Sequence, residues 1–388
     1  MSLASPILTV AEYFAGIGLI RMGLEPCGWR VVFANDILEK KFEMYEAFFP
    51  DALEHYIVGD IFKIDPSDVR AATLATCSFP CVDLSLAGNM EGINGKHSSA
   101  FWGFTEILKA QEEHAPPIVM VENVPGWLNS NKGEDFRVTI QALNNLGYAC
   151  DVFTLNAQSF TPQSRLRVFA VGVKFPGVSK SWDLRFERSK LLLSNRLKAA
   201  FTANADLDWF YFDIPKPPAL LTEGLTDLVE KLDDADKRWW PAAEVQRHLN
   251  MMTDLHRQRV EALKQSDQVA CRTFFRRMRQ GVQRVEVRRD DIAGCLRTAV
   301  GGSAKQFLIQ AGRGEIKMRT LTEREYALLQ GVPERFPIKV SGVQALTGFG
   351  DAVCVPAIEW IARHVLNPLV EQYIPTEAPL ELEACLTT

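Results

Sequence analysis

Ile7-Leu8-Thr9-Val10-Ala11-Glu12-Tyr13-Phe14-Ala15-Gly16-Ile17-Gly18 is a short β-rich apolar run that ends in small residues. Residues 7–14 read as a strand and 18–27 as the helix after it, so the glycines let the backbone turn tightly while a helix N-terminus faces the turn. By itself a Gly-x-Gly after a strand marks no more than a tight turn. The strands beyond it give it meaning. Residues 30–36, 56–60, 73–79, 118–124, 148–156 and 166–174 also read as strands, with helices predicted over 39–49, 98–114 and 134–146, the last closed by Gly147. Strand, helix, strand at this spacing calls for a doubly wound, mostly parallel sheet covered on both faces. Such sheets take ligands beyond the carboxyl ends of their strands.

Asp36 closes the second strand and Asp60 the third, where a ribose diol or an adenine amine would lie. The glycine pattern is short and no phosphate-binding lysine follows it, which favours a nucleoside without phosphates. S-adenosylmethionine is the natural candidate.

The 388 residues are 47% hydrophobic and 23% charged, enough for two domains with sizeable cores. No run approaches the roughly 18 uninterrupted apolar residues of a membrane helix, and residues 1–10 lack a basic region and a signal core. A cytoplasmic, nucleoid-associated protein with no membrane partner is expected. Eight dispersed cysteines have neither disulfide-scaffold nor zinc spacing, so each is judged as core filler or nucleophile, and no metal is expected.

The net charge of −5 hides an asymmetry: residues 271–325 carry thirteen Arg and Lys against six acids, whereas 202–237 carry nine acids and three bases. A local basic surface on an acidic body suits a protein that grips a polyanion at one place. Within the looser stretch 178–318, residues 221–237 read as an acidic helix-like segment and 242–265 as one helix. The pattern turns periodic again at 322–329 and 353–366. The expected domains are 1–177, 178–318 and 319–388, with 345–370 returning to the first.

Three further strand ends carry chemistry. Phe79-Pro80-Cys81-Val82-Asp83-Leu84-Ser85 follows the fourth strand and runs into a glycine-rich loop. A lone Cys is more often buried filler, but its place at the mouth of a parallel sheet favours a nucleophile. A thiol of pKa ~8.5 is only about 3% thiolate at pH 7, so the site must lower that pKa or remove the proton. Val121-Glu122-Asn123-Val124 ends the fifth strand, where a nearly buried carboxylate must be paired or protonated; a raised pKa would make Glu122 a proton donor. Thr161-Pro162-Gln163-Ser164-Arg165-Leu166-Arg167 opens the last strand, with Arg165 and Arg167 on one face.

Phe-Ala-Gly-x-Gly, Pro-Cys, Glu-Asn-Val and Gln-x-Arg-x-Arg, in this order and each at a strand end, resemble the DNA (cytosine-5) methyltransferases of bacterial or phage type. The likeness continues through Arg319-Thr320-Leu321-Thr322, Arg324-Glu325 and Gln330-Gly331, and through Gly348-Phe349-Gly350-Asp351-Ala352-Val353. It covers residues 8–175 and about 285–366. The resemblance implies a Rossmann-like S-adenosylmethionine-dependent methyltransferase fold with a smaller, irregular target-recognition domain.

It further implies methyl transfer to C5 of a cytosine flipped out of a specific double-stranded DNA sequence. Cys81 would add to C6, Glu122 would contact N3 and the exocyclic amine, and Arg165, with Arg167 beside it, would hold the ring carbonyl and Glu122. The family's cofactor positions fall on Phe14, Ala15, Gly16, Gly18, Asp36, Ile37, Asp60, Ile61, Pro80, Asp351 and Val353, with S-adenosylhomocysteine as product. Ser85 matches a contact to the DNA backbone. Arg276, Arg277, Arg279, Arg288, Arg289 and Lys305 suit DNA contacts in the variable region, although a solvated charged face is the usual fate of such runs. If about six phosphates are neutralised, affinity falls with salt at a log-log slope near −5. The enzyme is expected to be monomeric, alone or beside a restriction endonuclease for the same sequence. Alternatives are a tRNA cytosine-5 methyltransferase, a silent DNA-binding relative and a generic Rossmann oxidoreductase. Family members commonly have Asn where Asp351 stands, so the added charge is expected to weaken cofactor binding.

Overall fold

A computed structural model describes residues 8–79, 100–175, 187–298 and 305–374. By internal packing they fall into two units: Met1–Leu155 with Leu166–Pro217 and Ala357–Thr388, and Asn156–Arg165 with Pro218–Pro356.

In the first unit the strands are β1 (Thr9–Tyr13), β2 (Arg30–Asp36), β3 (Tyr56–Val58), β4 (Leu74–Cys77), β5 (Ile118–Asn123), β6 (Ala149–Asn156, whose last residue belongs to the second unit) and β7 (Leu166–Val173). They form one sheet in the order β3-β2-β1-β4-β5-β7-β6, with β3, β2, β1, β4 and β5 parallel and β7 antiparallel to β5. Every residue of β1 and β5 is buried, as expected of parallel strands covered on both faces. The covering helices include α1 (Leu19–Leu24), α2 (Glu39–Glu46), α3 (Ala100–Ala110) and α4 (Glu134–Asn145). Tyr13 packs on Phe33 and on Phe104 from α3, ring centroids 5.2 and 5.0 Å apart. The strand order reverses between β1 and β4, so the carboxyl ends of these two strands border the crevice where such sheets hold ligands.

Residues 187–217, expected in the smaller domain, pack with the first unit. Helix α5 (Asn195–Ala203) brings Phe201 onto Trp209 (4.8 Å), Trp209 stacks near Phe136 (6.3 Å), and Phe210 N–H donates to the Cys150 carbonyl on β6 (2.9 Å). The sheet edge at β6 thus captures a segment distant in sequence. Residues 357–374 belong to the same unit, and Trp29 Nε1 donates to Asn367 Oδ1 at 2.7 Å. Among the described residues the stretch Gly342–Tyr373 is long and apolar enough to span a membrane by composition, but 72% of its most apolar window is buried in the protein, as in a core helix.

The second unit is more regular than its sequence suggests. It contains an antiparallel sheet of order β11-β10-β8-β9, from β8 (Ala270–Arg279), β9 (Val282–Val287), β10 (Phe307–Gly312) and β11 (Glu315–Thr320). Phe274 and Phe307 stack at 5.2 Å in its core beside Trp240 and His248. The predicted acidic helix shrinks to one turn, α6 (Leu225–Leu228), because its acids serve as partners elsewhere: Glu230 and Asp236 engage Arg238, and Asp234 engages Lys317. The predicted helix over 242–265 is two, α7 (Ala242–Asn250) and α8 (Asp254–Lys264). Met252 is buried between them and bridges to Val285 of β9, and extended Thr253 restarts the helix.

The remaining helices are α9 (Glu323–Leu329), α10 (Gly342–Asp351), α11 (Val355–Ile361) and α12 (Asn367–Tyr373). Helix α9 begins with a capping box of Thr322 and Glu325, and the Glu325 carboxylate also holds the fully buried Arg319 at 2.5 Å.

Candidate active site

The glycine turn after β1 is built from left-handed backbone. Phe14 has φ +57°, Gly16 +58° and Gly18 +81°; the conformation is ordinary for glycine and uncommon for phenylalanine. The turn is pinned from β2 and β3: Ala15 N–H donates to Asn35 O (2.8 Å), Gly16 N–H to Asp36 Oδ2 (3.1 Å), and Tyr56 Oη–H to Gly16 O (3.0 Å). A Cβ on Gly18 would lie 2.6 Å from Phe49 and 2.7 Å from Tyr45, so only glycine fits against α2 and the chain after it.

Asp36 is buried at the end of β2, and its other oxygen accepts from Leu38 N–H (3.0 Å). Asp60, just beyond β3, accepts from Phe62 N–H (3.2 Å). Asn35 Nδ2 links the two strand ends by donating to the carbonyls of Ile57 and Gly59. Ile37 is 63% exposed beside Asp36, whereas Ile61 is buried in the core against Gly103.

At the end of β5, Glu122 is 7% exposed and its Oε1 lies 2.9 Å from Arg167 Nε on β7. The buried Glu122 carboxyl is thus paired, and the partner comes from the strand inserted antiparallel to β5. Asn123 Nδ2 donates to Phe79 O at 3.3 Å, joining the ends of β5 and β4. Phe79 immediately precedes Pro80 and Cys81 in sequence; Pro80, Cys81 and Ser85 lie outside the described residues. Cys77 on β4 is fully buried, which pushes its thiol well above the ordinary range and leaves it unsuited to attack.

Arg165 is 2% exposed in the second unit, where its guanidinium donates to the carbonyls of Leu296 (2.8 Å), Ala352 (2.5 Å) and Gly350 (3.3 Å). Gln163 works alongside it, donating to Leu329 O and accepting from Leu296 N–H. The Gln-x-Arg motif thus ties together segments more than a hundred residues apart. Asp351 Oδ1 accepts from the Thr298 hydroxyl at 2.7 Å, and Val353 is buried.

The basic residues of the second unit divide by environment. Arg276 lies over the Phe307 ring, 4.9 Å from its centroid. Arg277 and Arg279 project from the β8–β9 hairpin toward Glu286 (4.0 and 2.9 Å). Arg288 pairs with Asp290 (2.7 Å), Arg289 is exposed, and Lys305 is half-buried.

A family model for the C-5 cytosine-specific DNA methylases matches residues 8–367. The chain belongs to this family. The methylase is 27% identical over 361 residues to the type II methyltransferase M.DsaV of Dactylococcopsis salina, covering 93% of this chain and 86% of that one. To M.HaeII of Haemophilus aegyptius it is 26% identical over 366 residues, 92% of each chain. Among solved structures, the Schizosaccharomyces pombe Dnmt2 methyltransferase superposes with a TM-score of 0.59 at 17% identity, over 93% of this chain and 99% of that one. This likeness shows the fold. The methylase is an enzyme that transfers a methyl group to C5 of cytosine in DNA, and the donor used by its family is S-adenosylmethionine.

The methylase's residues fit that donor. Carboxylates end the adjacent strands β2 and β3, offering acceptors to hydroxyl and amine donors, and exposed Ile37 offers a purine an apolar face. Two residues at this end of the sheet escaped the sequence reading. Lys41 Nζ lies 3.8 Å from Asp36 Oδ2; its only sequence signal is a position five residues after Asp36. Glu12, two residues before Phe14, is 1% exposed with neither oxygen hydrogen-bonded among the described residues. Burial pushes it up to about 8, opposed by Arg21. A lone acid inside Thr9–Tyr13 was the visible sign.

Proposed function

We propose that Cys81, Glu122, Arg165 and Arg167 carry out the methylation on a cytosine flipped from a specific double-stranded sequence. The Glu122–Arg167 pair at the end of β5, joined through Asn123 to the strand end that leads to Cys81, is the observation that carries this reading. The Cys81 thiolate forms a bond to C6, and the C5–C6 electrons move toward N3, which takes the proton of the Glu122 carboxyl as that group accepts from the exocyclic amine; the proton returns to Glu122 when the thiolate leaves. C5 is then nucleophilic. The cofactor, when bound, supplies an electrophilic methyl group on a sulfonium. Loss of the C5 proton to a base restores the C5–C6 double bond and expels the thiolate. Arg167, and not Arg165 as the sequence led one to expect, orients Glu122 through a charged hydrogen bond and would take the ring carbonyl. Buried Arg165, its guanidinium given to the carbonyls of Leu296, Gly350 and Ala352, acts by holding its own segment.

Phe14, Ala15, Gly16, Gly18, Asp36, Ile37 and Asp60 would hold the cofactor, with Asp36 at the ribose hydroxyls and Asp60 at the adenine amine; Pro80, Asp351 and Val353 complete the set. Ile61 acts from the core, by supporting the Asp60 turn. Ser85, Arg277, Arg279, Arg289 and Lys305 would contact DNA, while Arg276 and Arg288, engaged with Phe307 and Asp290, would contribute by shaping that surface. The enzyme would act as a cytoplasmic monomer, alone or beside a restriction endonuclease of the same sequence; the type II names of its relatives favour the second.

Cys81→Ser tests the mechanism. The variant is expected to unfold at the same temperature as the natural protein, to lose turnover, and to lose the covalent adduct that the natural protein forms on 5-fluorocytosine DNA. Retained turnover, or an adduct on the serine variant, would overturn the assignment.

A further inference from the structure

The hairpin of β8 and β9 has more charge and more strain than the second unit's core requires. Its strands pair in the register Phe274–Val287, Phe275–Glu286, Arg276–Val285, Arg277–Arg284, Met278–Gln283 and Arg279–Val282, and are joined by two residues, Gln280 and Gly281. Side chains alternate across it. One face carries Phe274, Val285 and Val287 into the core. The other places Arg277 directly opposite Arg284, with Arg279 two residues beyond Arg277 on β8 and diagonal to Arg284.

Like charges directly across a strand pair repel. Glu286 is shared by Arg277 and Arg279, and Arg284 has no carboxylate partner among the described residues. Toward the tip the hairpin leaves the core: Met278 is 57% and Val282 50% exposed, and Gln280 and Gln283 are exposed with them. Gln280 has φ +50° and Gly281 +76°. Tight two-residue hairpins use positive φ at both positions and favour Asn, Asp or Gly there, so a glutamine at the first position works against the turn. Strain of this kind clusters at functional sites; the β10–β11 turn, with Arg313 at +53° and Gly314 at +84°, has the same backbone, so the arginines facing each other across the strands are what set the β8–β9 hairpin apart.

We propose that this tip enters the major groove of the target duplex and that Gln280, with Gln283 beside it, reads base edges there, while Arg277 and Arg284 grip phosphates. A two-stranded ribbon fits the major groove, and a glutamine amide can meet a base in two hydrogen bonds, most naturally an adenine. Repulsion between Arg277 and Arg284 is relieved when an anionic backbone lies along that face. The inference rests on the methylase acting on a specific duplex, and it names the element that sets the specificity.

Bisulfite sequencing of DNA methylated by the natural protein and by Gln280→Gly and Gln280→Asn tests it, with kcat/KM measured on the cognate duplex and on duplexes changed at one base pair. Both variants suit the turn and are expected to fold. They should still methylate, with the preference for the cognate pair at one position reduced roughly ten-fold, the cost of a single lost base contact. Arg277→Ala with Arg284→Ala should instead weaken binding to cognate and changed duplexes alike and lower the salt slope by about 2. An unchanged motif and an unchanged preference in both Gln280 variants would overturn the inference alone. Absence of methylated cytosine with the natural protein would overturn the reading beneath it as well.

Discussion

Arg167→Met removes the cation from Glu122 while keeping the side chain's length and most of its apolar contact. Glu122 and Arg167 have side chains 9% and 13% exposed and meet at 2.9 Å. Removing one partner of a buried pair costs about 3–5 kcal/mol, because the remaining charge is left without compensation. The residual exposure of both groups admits some water, so about 3 kcal/mol is expected. In a unit of this size each kcal/mol moves the melting temperature by about 2–4 °C, which puts the loss at about 6–12 °C. Calorimetry on the natural protein, Arg167→Met, Glu122→Gln and the double variant measures it independently of turnover, which should fall in all three. The double variant has no unpaired charge and should recover at least half of the loss. A single Arg167→Met variant melting within about 2 °C of the natural protein, or a double variant no better than the single, would refute the claim that the pair holds Glu122.

Glu12 is held near 8 in the fold against an ordinary carboxyl value of 4.5. Between those values the folded state keeps a proton that the unfolded chain has lost, so this group's stabilising contribution declines as pH rises from 4.5 to about 8. Glu12→Gln should therefore gain in melting temperature relative to the natural protein across that window and show a constant difference below it; parallel pH profiles would contradict the burial argument. Gly18→Ala places a Cβ 2.6 Å from Phe49 at φ +81° and should lose about 2–5 kcal/mol, from left-handed strain plus overpacking, so an unchanged melting curve would count against the rigidity of this turn. Asp351→Asn removes a negative charge but can still accept from Thr298; titration calorimetry should show tighter cofactor binding, and equal or weaker binding would dismiss electrostatic repulsion at that position.

The first unit was readable because its strands are nearly continuous apolar runs. Arg30–Asp36 falls where predicted, and the other six strands within a few residues of prediction. In a parallel sheet buried on both faces the pattern is local, so a short window contains the signal. The second unit concealed its sheet because the strands β8 and β9 carry arginines whose long stems cover apolar surface while their heads reach solvent. Residues 242–265 have one helical period, and only the burial of Met252 against β9 reveals the break. Glu122 was found as an acid ending an apolar strand. Glu12 has the same signature in β1, but no motif drew attention to it.

What the chain's order of residues determined alone was the set of strand ends: a glycine turn, two aspartates, a cysteine, a glutamate and an arginine pair at the carboxyl or amino ends of predicted strands, together with the family to which that order belongs. Packing decided which partners those groups received. Arg167 meets Glu122 because β7 is inserted antiparallel to β5, and Arg165 binds carbonyls more than a hundred residues away in sequence. Strand formation depends on neighbours a few residues apart, which a sequence displays directly. The partner of a buried charge is set by long-range pairing, where a difference of two residues between arginines changes everything the side chain touches.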